Sequence, residues 1–157
     1  MNHTLIIDAN YFVYSRLFVL PRNKNKRFLD SEKDRGIFMR KLAMDFASEM
    51  RKFKNIAKSW RKDMLPASNY KANRKQSETI NWDAVFEIYD EFKQLLKKRN
   101  VIVQQMSGAE GDDLVFAWST FLNMQGDNCI IWSGDRDLMQ LVNYNPANDA
   151  YSICYDS

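Results

Sequence analysis

The chain has 157 residues, 45% of them apolar, with 23 Lys/Arg against 20 Asp/Glu for a formal charge of +3. That length buries one sizeable core, and two cysteines with a single histidine, His3, exclude a disulfide-stapled scaffold and a zinc enzyme built on histidine. No apolar run approaches the roughly 20 residues that span a bilayer, and Met1–Asn10 lacks the basic-then-apolar layout of a secretory signal, so neither membrane insertion nor secretion is expected.

Thr4–Asp8 is a short apolar run closed by an acid, the pattern of a fully buried strand with Asp8 at its carboxyl end. A polar stretch lies at Arg22–Asp34, and Pro21–Asp34 is expected to be mobile. Phe38, Leu42, Phe46, Met50 and Phe53 then recur at spacings of four and three, one face of a helix that should begin near Arg35. Pro66 and polar Ala67–Thr79 break the pattern, so Leu65–Thr79 is the second segment expected to be mobile. Trp82, Val85, Phe86, Tyr89, Phe92, Leu95 and Leu96 restore a helical stripe up to Arg99, and Val101–Gln105 is a strand candidate.

Ser107 and Glu110 have the spacing of a capping box, opening a helix whose Leu114, Ala117, Trp118, Phe121 and Leu122 should face the core, with Gly126 as its stop. Asn128–Ser133 reads as another buried strand, ending at Gly134–Asp135. Leu138, Met139, Leu141 and Val142 suggest a short helix, and Tyr151–Tyr155 a final strand. Strands alternating with helices predict an α/β fold, a mostly parallel central sheet flanked by helices, as a single domain over 1–157. Cys129 and Cys154 lie in apolar or aromatic surroundings and read as reduced core residues.

The small net charge hides an asymmetry. Residues 1–80 carry 18 Lys/Arg against 8 Asp/Glu, a net +10, whereas residues 81–157 carry 5 against 12, a net −7. Within Arg51–Lys75, nine cations and one acid are interleaved with Phe53, Trp60 and Tyr70. Cations with stacking rings suit a polyanion with exposed bases, although the same run also reads as a solvated helix face with its aromatics in the core.

If the strands lie side by side, Asp8, then Glu110, Asp112 and Asp113, then Asp135 and Asp137 meet at their carboxyl ends, where open α/β sheets place their sites. Two like charges ~4 Å apart repel by roughly 1 kcal/mol in bulk water and about 4 kcal/mol at an effective dielectric of 20, so such a rim needs cations or protons. Oxygen ligands without histidine or cysteine favour Mg²⁺ or Mn²⁺, and a pair of such ions can clamp a phosphodiester. Singly, each acid also has an ordinary reading: Asp112 and Asp113 favour a helix start, and Asp135 suits a turn after Gly134.

Four segments together resemble the 5′-nuclease family, which comprises flap endonucleases, the 5′→3′ exonuclease domains of bacterial DNA polymerase I and bacteriophage RNase H enzymes. They are Ile6-Ile-Asp8-Ala-Asn10, Trp60-Arg61…Pro66…Tyr70-Lys71-Ala-Asn-Arg74, Gly108-Ala-Glu110-Gly-Asp112-Asp113 and Ser133-Gly-Asp135-Arg-Asp137-Leu-Met-Gln140-Leu-Val142. The resemblance runs from about Leu5 to Val142 and implies a PIN-like domain that cuts near 5′ ends of branched DNA or RNA–DNA hybrid with divalent metal, expected as two ions. It implies metal binding by Asp8, Glu110, Asp112, Asp113, Asp135 and Asp137. It also places Arg61, Tyr70, Lys71 and Arg74 at the basic helical arch, with Lys71 and Arg74 on the scissile phosphate and Asp8 and Asp135 in the catalytic set. A replication setting further implies a monomer in the cytoplasm, that of the host for a phage-encoded chain, beside replication proteins.

Two departures from the family pattern stand out. Phe53–Ser59, where the family has a second strand ending in a metal-facing aspartate, holds no apolar strand and no Asp, with Asn55 the nearest polar stand-in. That strand is therefore expected to be missing. The sequence also stops at Ser157, where the family continues into a helix-hairpin-helix-like clamp. Two alternatives follow: a catalytically impaired DNA-binding remnant of the family, and a small PIN-type ribonuclease, which the arch motif and the Gly134–Val142 string fit poorly.

Overall fold

In the computed structural model of the chain, residues 3–21, 26–56, 60–65 and 79–155 are described. Strand β1 (His3–Asp8) lies in the middle of the sheet, and its alternation puts Leu5 and Ile7 into one apolar cluster and Ile6 into another. Helix α1 (Ala9–Phe18) starts on the next residue, an element the apolar pattern alone does not announce. Helix α2 (Glu32–Ile56) begins three residues before Arg35, because Ser31 caps it by accepting from the Asp34 N–H at 3.2 Å. Its Phe38, Leu42, Phe46 and Met50 are buried as expected, whereas the Phe53 side chain lies outside the described residues.

There follow β2 (Trp60–Leu65), α3 (Trp82–Lys98), β3 (Ile102–Val103), α4 (Gly111–Met124), β4 (Asn128–Trp132), a 3-10 helix (Arg136–Leu141), β5 (Asn143–Asn145) and β6 (Ala150–Tyr155). The sheet runs β3-β2-β1-β4-β6-β5, parallel throughout except for the β5–β6 hairpin. The predicted α/β architecture is therefore observed. The chain first builds outward from β1 to β2 and β3, then returns to place β4 on the other edge of β1. This reversal makes the carboxyl ends of β1 and β4 the switch point of the sheet.

The missing second strand is a correction. Trp60–Leu65 pairs in parallel with β1, Asp8 opposite Leu65, and on its other edge with β3. A strand flanked on both sides satisfies its backbone donors and acceptors from its neighbours, so the backbone ladder holds even the charged Arg-Lys-Asp sequence in extended form. Phe53–Ser59 itself supplies no described strand: α2 runs to Ile56, and residues 57–59 lie outside the described set.

Helices α1, α2 and α3 cover one face of the sheet, where Phe12 stacks on Phe92 and meets Trp132 and Phe46 edge-on. Large side chains such as these contribute roughly 1.5–3 kcal/mol each on burial. The opposite face carries a smaller cluster of Ile6, Val115, Leu122, Cys129, Ile131 and Leu138 under α4. Part of the segment expected to be mobile is tied down: Phe28 and Leu29 are buried, and Phe28 bonds to Thr79 and Asn81 through the backbone. Two stripe residues prove exposed, Phe86 on α3 and Phe121 on α4, as does Ala117; only Leu122 of the α4 set is fully buried. Gly126 stops α4 as expected, at a φ of +82° that favours glycine. The cysteines are free, Cys129 buried and Cys154 half-buried, and burial pushes the Cys154 thiol up.

Candidate active site

Asp8 does two local tasks at the end of β1. One carboxylate oxygen caps α1, accepting from the Tyr11 N–H at 3.1 Å. The other accepts a hydrogen bond from the Ser133 hydroxyl at 2.8 Å. Ser133, the residue after β4, is itself held because its N–H bonds the Tyr155 carbonyl at 3.0 Å. Its Oγ in turn accepts from the Asp135 N–H at 3.0 Å. One buried hydroxyl thus ties the acid that ends β1 to the loop that carries Asp135, across 125 residues of sequence. Asp135 then caps the 3-10 helix by accepting from the Asp137 N–H at 3.0 Å.

Gly134 makes this junction possible. A Cβ there would lie 2.5 Å from the far end of the Tyr11 ring, so a larger residue requires that side chain to shift for the loop to close down on α1.

The second group of acids belongs to α4. Its N-cap is Glu110, three residues later than the Ser107 box predicts, and the reciprocal box joins Glu110 to Asp113, whose carboxylate accepts from the Glu110 N–H at 2.9 Å. A Gly111-Asp112-Asp113 start gives the helix both a cap and two acids in its first turn, which offset the partial positive charge there. Asp112 and Asp113 share a cavity of about 310 Å³ with Asp137, Gln140 and Leu141. The 3-10 helix therefore joins the clusters: Asp137 faces the cavity with the α4 acids, and its N–H rests on Asp135.

Of the expected metal ligands, Asp8 and Asp135 are brought together through Ser133, and Asp112, Asp113 and Asp137 around the cavity. Glu110 stands at the mouth of α4 as its cap. Among the described residues, no three acidic, histidine or cysteine side chains converge on one point. The donor set nevertheless fits a hard divalent cation, since every candidate ligand is a carboxylate oxygen or a neutral oxygen. Among the described residues, Asn10 Oδ1, two residues beyond Asp8, is buried and finds no hydrogen-bond partner. Of the expected arch residues, Arg61 lies on β2 opposite Thr4, while its side chain and Tyr70, Lys71 and Arg74 lie outside the described residues.

Sequence reasoning overlooked Ser133 and Tyr11 as parts of this site. Their signals are faint: a hydroxyl between a strand and a Gly-Asp turn, and an aromatic three residues after a capping aspartate. It also passed over Asp63, which β2 places in register with Ile6.

A mostly parallel sheet flanked by helices, with Asp8 and the Asp135 loop joined at its switch point, defines an α/β domain. A family model described as the 5′-3′ exonuclease N-terminal resolvase-like domain matches residues 3–153. The chain belongs to that family. A 5′-3′ exonuclease of Buchnera aphidicola (subsp. Acyrthosiphon pisum, strain APS) is 25% identical over 156 residues, covering 92% of this chain and 50% of the relative. Among solved structures, a mutant T5 5′-exonuclease aligns with a TM-score of 0.56 at 12% identity, over 99% of this chain and 51% of its own. The bacteriophage T5 flap endonuclease in a pseudo-enzyme–product complex with DNA and metal ions aligns at 0.54 and 15% identity, over 98% and 55%. These structural likenesses carry the fold. The chain spans about half the length of the curated relative it matches.

Proposed function

We propose that the chain is a divalent-metal-dependent 5′-nuclease, a 5′→3′ exonuclease or flap endonuclease that hydrolyses phosphodiesters near the 5′ ends of DNA or RNA–DNA hybrid during replication or primer removal. The observation that carries this reading is the Ser133 bridge, which joins the acid closing β1 to the Asp135 loop at the switch point. Asp8, Glu110, Asp112, Asp113, Asp135 and Asp137 would hold Mg²⁺ or Mn²⁺. Two ions of this kind supply charge neutralisation at the phosphate and an acidified water.

The chain's own groups do the rest. The α1 N–H and the Ser133 hydroxyl fix the Asp8 carboxylate in one orientation, so little reorganisation is needed when substrate binds. Asp137 and the α4 acids line a recess open to solvent, through which a phosphate can approach. Lys71 and Arg74, with Tyr70 and Arg61 nearby in sequence, would grip the strand and offset charge developing on the phosphate. Partners proposed with this reading are DNA or RNA–DNA hybrid with a free 5′ end and replication proteins, with the chain acting as a monomer in the cytoplasm.

The test is cleavage of 5′-flap and RNA–DNA substrates by the purified chain with Mg²⁺ or Mn²⁺. Release of 5′ fragments that chelator abolishes is the expected result. Salt-sensitive binding without cleavage would instead support the impaired-remnant reading, which draws on the lack of three converging carboxylates among the described residues.

A further inference from the structure

We propose that Phe116 is a nucleobase-stacking residue: its ring is part of the wall of the recess that Asp112, Asp113 and Asp137 line, and it receives the face of one base of a nucleic-acid strand. The proposal rests on the nuclease reading and adds to it a contact that uses neither a charge nor a metal.

Helix α4 buries Val115, Ser119 and Leu122. Phe116, the residue after Val115, is 57% exposed, yet it does not stand on open surface: it lines the cavity of about 310 Å³ together with Leu138 and Leu141. Helical spacing sets this position. Phe116 follows Asp112 by four residues and Asp113 by three, so all three share one flank of α4, with Phe116 roughly 6 Å along the axis from Asp112. Other exposed rings have partners within the chain, Phe121 meeting Trp118 edge-on and Phe86 lying against Trp82. Among the described residues, no ring and no cation is seated on Phe116.

The lining selects which part of a nucleotide fits. Ligand sites begin at roughly 300 Å³, so this recess takes one nucleoside-sized group and excludes a duplex. Its carboxylates repel a bare phosphate, whereas base edges carry N–H donors that carboxylates accept. The flat face of a base matches an aromatic ring. Such stacking tolerates any sequence and strengthens binding by about 5- to 150-fold per base.

The test uses the full chain in chelator at low salt, with binding of a labelled 5′-flap DNA followed by fluorescence anisotropy. Companion DNAs carry one abasic site, moved nucleotide by nucleotide along the flap and through the first paired positions. Wild type, Phe116→Ala, Phe116→Leu and Phe116→Tyr are compared, with thermal unfolding alongside. Binding should weaken about 5- to 20-fold in Phe116→Ala, nearly as much in Phe116→Leu and little in Phe116→Tyr, with unfolding temperatures unchanged. With the abasic site at one particular position, wild type should fall to the affinity of Phe116→Ala, and the difference between them should vanish. When Mg²⁺ is added and cleavage is followed, the same loss should appear in KM rather than kcat.

Equal binding by wild type and Phe116→Ala, or a Phe116→Ala penalty that survives at every abasic position, overturns the proposal and leaves the nuclease reading standing. Wild-type affinity in Phe116→Leu marks a merely apolar contact and also overturns it. Wild type that neither binds the flap in chelator nor cleaves it with Mg²⁺ or Mn²⁺ overturns both.

Discussion

The two acidic groups on the rim of the sheet are built differently. Asp8 is buried, and its oxygens are fixed by the first turn of α1 and by Ser133. Asp112, Asp113 and Asp137 stand on exposed positions around a water-accessible cavity. The buried member is oriented by the protein itself, so its geometry is set before any ligand arrives. The exposed members sit where screening by solvent is strong and mutual repulsion modest. Under the proposed function such a site would pair one buried, preset acid with exposed ones, and each half can be perturbed separately.

The largest expected effect follows from the fixed half. Asp8→Asn retains an oxygen for the α1 cap but loses the charge and the acceptor for the Ser133 hydroxyl, so single-turnover cleavage of a 5′-flap should fall by a factor of at least ~10² at a stability cost of about 1–3 kcal/mol. An equal loss of activity and of fold would mean that Asp8 is chiefly a cap. Gly134→Ala comes next. Its Cβ meets the Tyr11 ring, so overpacking should cost about 1–3 kcal/mol in urea unfolding and lower activity through the displaced Asp135 loop. Combining it with Tyr11→Ala should recover much of the stability; additive losses would contradict the contact.

Ser133→Ala leaves the Asp8 carboxylate one donor short in a buried position. A cost of about 1–3 kcal/mol is expected, with substantial recovery in Ser133→Thr, measured by unfolding and by kcat against KM. The exposed half should respond less. Asp113→Ala removes a cap from α4 at a cost of about 0.5–2 kcal/mol, whereas Asp113→Asn keeps an acceptor and should weaken cation binding with a smaller stability loss.

The smallest effect belongs to Cys154. Burial raises its thiol pKa, so the folded chain keeps its proton longer than the unfolded one. The associated stability is present in full below the unfolded thiol pKa and is lost as pH rises through the raised folded value. Alkylation by iodoacetamide near pH 8 should be slower in the native chain than in urea, and equal rates would remove this element.

The apolar periodicities identified α2, α3, β1 and β4 because each buries a continuous stripe or run. They passed over β2, whose Trp-Arg-Lys-Asp-Met-Leu sequence is held by pairing on two edges, and β5, which is three residues of a hairpin. The α4 start was misread because Ser107 and Asp113 both suit a capping pattern. The structure uses the later pair, with Gly111 buried as the first helical residue.

Phe121 fell on the solvent side because α4 lies on the sheet as a single helix, with Val115, Ser119 and Leu122 turned inward. At the candidate site, charge and placement at strand and helix ends made six acids legible as candidates in the sequence. The residues that organise them were not, since a serine, a glycine and a tyrosine gain their roles only when β1 and β4 lie side by side.

The central claim is that both acidic groups belong to one cation-binding centre. A double-mutant cycle on Mn²⁺ affinity, with Asp8→Asn and Asp137→Asn singly and together, tests it most directly. The account predicts strong non-additivity, the double variant losing little beyond the worse single one. Independent, additive losses, as from two unconnected sites, would contradict it.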